Sequence, residues 1–273
     1  MKVIHKEYTV DGHNGEWILD IYGDTHLGSK SVDEKLLIKH IQETKETGRN
    51  WVHLGDAVDG VIPGDKRFCS QNLADWAWED LRNKRLIQGE WQQFLNLFKP
   101  IKENGLFVLS GDGKHNMMLD VADCFGMVLN EMGIDGGYPA CHLLISFKRG
   151  ASTETKQVEL VFHHGWFAGR MKGGKANNLV NALGVYPGAW GFFCGHGHDK
   201  IGIRVDSLVV EAFHQKQWVR RAAMTGAYLQ TYANDTVGYG EVKGYTPAGL
   251  GRMSVVVRPF CLDPEKRIEL FNM

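Results

Sequence analysis

Short apolar runs that stop at a glycine recur through the first half of the chain. Trp17–Tyr22 stops at Gly23, residues 51–54 stop at Gly55, and residues 106–109 stop at Ser110 and Gly111. Runs of four to six apolar residues closed by turn formers predict buried strands. Between them the period lengthens. Residues 33–47 set Leu36, Leu37, Ile38 and Ile41 on a polar background and predict a helix ended near Gly48. Residues 71–98 spread Leu73, Trp76, Leu81, Leu86, Trp91, Phe94 and Leu97 the same way and predict one long helix stopped by Pro100. Residues 117–132 predict another, closed by Gly133.

The second half reads differently. Residues 143–148 and 157–162 are extended runs joined by a polar loop with Gly150, the pattern of a hairpin. Residues 175–183 predict a short helix, and residues 190–194, 208–213, 219–224 and 253–260 predict strands. Residues 226–251 are rich in glycine and tyrosine and predict loop. No internal repeat or low-complexity linker divides the chain. Early strand–helix alternation followed by strands predicts an α/β fold, one domain over residues 1–273 with two packed mixed sheets flanked by helices.

Composition narrows the function classes. With 273 residues, 43% of them hydrophobic, the chain can bury one large core. A formal net charge of −1 removes any global attraction to nucleic acid or to an anionic membrane. No apolar run is long enough to span a bilayer, and residues 1–7 carry no apolar leader core. The five cysteines are scattered without a CxxC pair, which suits free thiols in a reducing compartment. A cytoplasmic protein with no membrane partner is the expectation.

Candidate chemistry lies just past the apolar runs. Asp24-Thr25-His26, Gly55-Asp56-Ala57-Val58-Asp59, Gly111-Asp112-Gly113-Lys114-His115-Asn116, His163-His164-Gly165 and Gly195-His196-Gly197-His198 follow one another along the chain. Ligands in open α/β sheets gather at the carboxyl ends of strands, and glycine there lets backbone approach closely. Carboxylates and imidazoles together suit Mn²⁺, Fe or Zn²⁺ better than Mg²⁺. The set is large enough for two divalent metal ions, Mn²⁺ first among them. The remaining histidines (His5, His13, His40, His53, His142, His214) sit in no motif and read as surface or core residues.

This ordered series resembles the calcineurin-like metallophosphoesterase superfamily, whose pattern is DxH, GDxxD, GNH(D/E), H and GHxH. The resemblance spans residues 23–198. It implies that fold, a phosphoesterase activity and a metal-bridging hydroxide as nucleophile. It also implies that Asp24, His26 and His198 hold the first metal, that Asp56 bridges both, and that His164 and His196 hold the second. His115 would polarise the phosphate or protonate the leaving group. Asp59 is expected to orient a ligand histidine rather than bind metal. The third block departs from the family pattern. Aligned on the strand, Asp112 takes the place of the family's metal-binding Asn, with Asn116 as the alternative. Of the paired histidines, His164 precedes glycine, and strand alternation turns His163 to the other face.

Three features bear on the substrate. Gly60 stands where related protein phosphatases carry an arginine, which disfavours a phosphoprotein. Asp24-Thr25-His26-Leu27-Gly28 resembles the first motif of recombination and repair nucleases in the superfamily. Trp166, Phe167, Arg170, Lys172, Lys175, Lys216, Trp218, Arg220 and Arg221 interleave basic and aromatic side chains, which suits a flexible nucleic acid. Arg170 and Lys172 are the substrate-binding candidates. The stretch from Arg221 to Tyr245 is similar to tails of phage- and prophage-encoded members, implying a host cytoplasm. The expected substrate is a phosphodiester (DNA, RNA or a smaller diester). A nucleotide phosphomonoesterase and a non-catalytic metal-stabilised scaffold are the alternatives.

Overall fold

The computed structural model describes residues 1–112, 123–167, 169–211, 214–234, 236 and 239–272. In chain order the strands are β1 (Lys2–Val10), β2 (Trp17–Tyr22), β3 (Asn50–His53), β4 (Gly105–Val108), β5 (Asp135–Gly136) and β6 (Ala140–Arg149). They continue with β7 (Thr155–His163), β8 (Gly191–Cys194), β9 (Lys200–Glu211), β10 (His214–Thr225), β11 (Met253–Val257) and β12 (Ile268–Asn272). The helices are α1 (Glu34–Thr47), α2 (Trp78–Arg82), α3 (Leu86–Phe98), α4 (Cys124–Met132), α5 (Lys172–Val185) and α6 (Tyr239–Val242).

Two mixed sheets of six strands each carry the fold, as the sequence predicts. One runs β1-β6-β7-β8-β10-β9 and the other β12-β11-β2-β3-β4-β5. The strands β2 to β5 are parallel, while β11 closes against β2 antiparallel. Leu19, Ile21, Val52 and Phe107 from one sheet meet Leu143, Leu160, Phe162 and Phe193 from the other in a shared core. Alternation sends Tyr22, Trp51 and Val108 to the opposite face, where α1, α3 and α4 cover them with Leu37, Ile41, Trp91, Phe94 and Val128. On the far side of the first sheet, Leu179 and Leu183 of α5 pack on Val161, Phe192 and Met224.

The helix expected over residues 71–98 is broken. Two short 3₁₀ turns, Ser70–Asn72 and Asp75–Ala77, precede α2, and α3 starts only at Leu86. Leu73, Ala74, Ala77 and Leu86 form their own small core with Trp76 and Leu81, so their apolar groups do not extend the stripe of α3. Lys84 takes a left-handed φ of 57° at the break, and Arg85 turns back to Asp80 at 2.7 Å. The polar, alternating β1 and the short β12 were not anticipated, and β9 and β10 extend well beyond the apolar segments that announced them. Of the helix expected over residues 117–132, the described part is α4. His115 and Asn116 lie outside the described residues. Among the described residues, no helix is long and apolar enough to cross a membrane.

Candidate metal centre

The parallel strands deliver their following residues to one edge. Beyond β2 and β3 the two loops stay paired: Asp24 N donates to Gly55 O at 3.0 Å and His26 N to Asp56 O at 3.0 Å. On the other sheet, Gly195 N donates to His164 O at 2.8 Å, joining the exits of β7 and β8. The backbone then turns sharply at the candidate ligands. Asp24, His26, Asp56, His196 and His198 all have positive φ, between 43° and 65°, and Lys84 is the only other described non-glycine residue that does. Left-handed backbone is costly for a residue with a Cβ and collects where function demands it. Close approach also forces glycine. A methyl group at Gly111 would overlap Asp56 Oδ1, and one at Gly195 would sit 2.6 Å from Asp24 Oδ2.

Two three-residue clusters result, Asp24 with His26 and His198, and Asp56 with His164 and His196. Within each, one ligand atom per residue lies within 4.8 Å of the others. The clusters touch. His26 Nε2 is 3.2 Å from His198 Nε2 and 4.0 Å from Asp56 Oδ2, while His164 Nε2 is 3.4 Å from that same oxygen. Asp56 therefore stands between the two groups. His164 donates Nδ1–H to Leu54 O at 2.8 Å, which fixes its tautomer and leaves Nε2, buried and without a hydrogen bond, for a cation. Asp59 Oδ1 lies 3.8 Å from His26 Nδ1, the ring nitrogen opposite the one that faces His198. The set of nitrogen and oxygen donors fits divalent transition metals.

The electrostatics show a site short of positive charge. Burial raises the Asp24 carboxyl, and the neighbouring Asp56 charge raises it further, against the lowering effect of His164. Burial works against a charged His164, but Asp56 and Asp24 outweigh it and move His164 up. The protons these groups retain are stand-ins for a cation.

Several supports were not legible in the motifs. His53 accepts from Gly55 N through Nδ1 at 3.1 Å and reaches Thr25 Oγ1 at 3.1 Å, while Thr25 donates to Ala57 O at 2.7 Å. Burial first of all holds His53 down at about 3, so it serves as a neutral clamp between the first two ligand loops. Glu90 of α3 accepts from Gly60 N at 3.0 Å and packs against Gly28, gripping the far ends of the same two loops. The buried Lys175 reaches Gly197 O at 2.7 Å and Asp199 at 2.5 Å, bracing the His196–His198 turn from α5. Apart from His53 with Gly55, each pair is distant in sequence, so only side-chain placement reveals these contacts.

A cavity of about 310 Å³ opens beside the second cluster, lined by Asp112, His163, His164, Trp166 and His196 among others. Asp112 is exposed, donates its backbone N–H to Asp56 Oδ1 at 2.8 Å, and lies outside both three-residue clusters. His163 shares the cavity wall rather than turning away. Its ring accepts from Gly165 N at 2.8 Å, so the chain curls as β7 ends and strand alternation no longer applies. The interleaved basic and aromatic run is not one surface. Phe167, Lys175 and Arg220 are buried, and Arg221 donates to Ile268 O. Arg170 is exposed, donates to Lys243 O at 3.0 Å and lies over the Tyr245 ring at 5.3 Å. Lys172 Nζ sits 3.5 Å from Asp199.

No family model and no curated protein matches the chain. Among solved structures, a metallophosphoesterase from Sphaerobacter thermophilus is 11% identical over 94% of this chain and 88% of its own, with a TM-score of 0.41. A conserved Streptococcus pneumoniae TIGR4 protein described as a predicted phosphoesterase is 11% identical over 95% and 99%, with a TM-score of 0.33. GAP50, described as the anchor in the inner membrane complex of Plasmodium, is 10% identical over 89% and 81%, at 0.41. Likenesses this distant carry no argument about chemistry, which rests on the two clusters themselves.

Proposed function

We propose that the chain is a metal-dependent phosphoesterase that holds two divalent cations and hydrolyses phosphate esters, with a phosphodiester or nucleic acid as its substrate. One observation carries the reading: two Asp/His clusters, built on strained backbone, meet at the single carboxylate of Asp56. Asp24, His26 and His198 would hold one cation and His164 and His196 the other, with Asp56 shared. A cation pair there supplies charge neutralisation at phosphoryl oxygens and acidifies a water. Mixed His and Asp donors favour Mn²⁺, Fe or Zn²⁺ over Mg²⁺.

The chain's own residues do the rest. Asp59 and the Leu54 carbonyl orient His26 and His164. The cavity beside His164 and His196 admits the ester, and Asp112 at its wall is the proposed further ligand or charge-setting group. His115 keeps the role of proton donor to the leaving oxygen. A nucleotide phosphomonoesterase is the second reading, favoured by the confined size of that cavity.

Mn²⁺-loaded protein should turn over a model phosphodiester, and a matched monoester measured alongside ranks the two readings. His115→Ala should lower turnover by about 10²–10⁴-fold while leaving two bound metals. No turnover of either ester with both metals bound would make the chain a binding scaffold instead.

A further inference from the structure

We infer that Trp166 is a stacking platform for a nucleobase, so that the phosphoester cleaved at the neighbouring cluster is a nucleotide derivative. The inference rests on the phosphoesterase reading and names its substrate class.

Trp166 follows the ligand His164 by two residues and lines the same cavity as His164 and His196. Its side chain is 57% exposed, unusual for the largest apolar residue type beside a buried core. It is nevertheless anchored. The His163 ring meets it edge-on with centroids 4.7 Å apart, Phe167 does so at 4.9 Å and 90°, and Phe192 approaches at 6.1 Å. Phe167 and Phe192 belong to the core beneath α5, so the indole is braced by rings that do not move with the solvent. An aromatic held this way loses little conformational freedom when a flat group covers it.

The geometry then separates two parts of a ligand. Phosphoryl oxygens belong at the Asp56, His164 and His196 end, where the cations of the proposed phosphoesterase would sit. A phosphoryl group occupies only part of a cavity of about 310 Å³, and Trp166 and His163 are the aromatic side chains of the remaining wall beside Gly111, Asp112, Pro139 and Gly165. An indole attracts planar, electron-poor rings. Nucleotides and nucleic-acid termini are phosphate esters that end in such a ring, and they are the inferred substrate class. Base stacking of this kind is sequence-tolerant, and removing it typically changes affinity on the order of tenfold.

The test compares binding of adenosine monophosphate, ribose 5-phosphate and inorganic phosphate to the full-length Mn²⁺-loaded protein by calorimetry. Indole fluorescence is followed in parallel. Adenosine monophosphate is expected to bind on the order of tenfold tighter than ribose 5-phosphate and to quench fluorescence. Trp166→Ala should reduce that ratio to about one, and Trp166→Phe should keep most of it. A thermal melt confirms that both variants fold. Equal affinities in the wild type, or a preference that survives Trp166→Ala, would overturn the stacking role. If the wild type binds none of the three ligands, the phosphoesterase reading fails and takes this inference with it. Phosphate bound without a base preference sinks the stacking alone.

Discussion

Asp20 and Asp24 stand four residues apart on β2 and its exit, and both carboxylates are fully buried. Their neighbours differ. Thr44 Oγ1 and Ser254 Oγ each donate to Asp20 at 2.6 Å, and Arg252 Nε lies 3.6 Å away. Arg252 is itself without solvent exposure and reaches Tyr22 Oη at 3.2 Å and Glu43 at 3.1 Å. Asp24 accepts instead from the His196 backbone N–H at 2.9 Å and faces the His198 imidazole at 3.8 Å. Among the described residues, no lysine or arginine pairs with it. A buried carboxylate needs a positive partner. At Asp20 the chain carries that partner. At Asp24 it provides imidazoles and a backbone N–H, and under the proposed function a cation would supply the charge.

The largest effect should separate the two aspartates. Asp20→Ala leaves the fully buried Arg252 with only the partly exposed Glu43 as a carboxylate partner, and the expected loss is about 3–5 kcal/mol of folding stability. Metal bound per folded molecule should not change. Asp24→Ala removes a carboxyl that burial already disfavours as an anion. Its metal-free stability should fall by only about 1–3 kcal/mol, the cost of a His196 N–H left without its acceptor, while one cation per chain is lost. Denaturant titrations with and without a chelator, paired with metal analysis, read both quantities. Equal destabilisation of the two metal-free variants would erase the distinction.

Inside the metal centre the contrast recurs on a smaller scale. His26 has the Asp59 carboxylate behind it, and His164 has a neutral carbonyl. A carboxylate behind an imidazole strengthens its basicity as a ligand. Asp59→Asn should therefore weaken one cation about 10–100-fold and leave the other in place. A biphasic Mn²⁺ titration would show the split. A parallel weakening of both would mean that Asp59 acts on the whole loop pair.

The ligand side of this contrast was legible in the sequence and the structural side was not. Asp24 and Asp56 follow apolar strands that end at glycine, and His164, His196 and His198 are set in glycine-flanked motifs. Short-range pattern is enough to nominate them. Gly48 likewise marks the end of α1, as its left-handed terminus. Arg252 is 232 positions from Asp20, and nothing local announces that they meet. β1 is polar at alternate positions and gains its place only by pairing with β6. The break before α3 is a tertiary choice, made by a small core that helical spacing cannot distinguish from a continuing stripe. Glu90 reads as an ordinary helix-surface charge, and Lys175 as one of the basic and aromatic run suited to nucleic acid, until their partners are known.

His40 offers the finest test, because it belongs to the Asp20 side. Its ring Nδ1 faces Tyr228 Oη at 2.8 Å, and its carbonyl accepts from Arg252. Burial, followed by the charges of Arg252, Lys200 and Lys39, pushes it down to about 4. A lowered value means that the fold prefers the neutral ring. Above about pH 6.5 both folded and unfolded chains hold it neutral, and its contribution is fully present. As pH falls toward 4, the unfolded chain takes up a proton that the folded one refuses, and stability drops. Lys39 and Lys200 act partly through solvent, so the expected loss is about 2 kcal/mol. His40→Asn keeps an acceptor for Tyr228 without a titrating group, and its urea midpoint should fall less over that range. The part of the acid loss that His40→Asn removes should be the same with chelator and with Mn²⁺, since the network draws its positive charge from Arg252. A loss that shrinks when Mn²⁺ is added would tie His40 to the metal centre and join the two halves that β2 otherwise keeps apart.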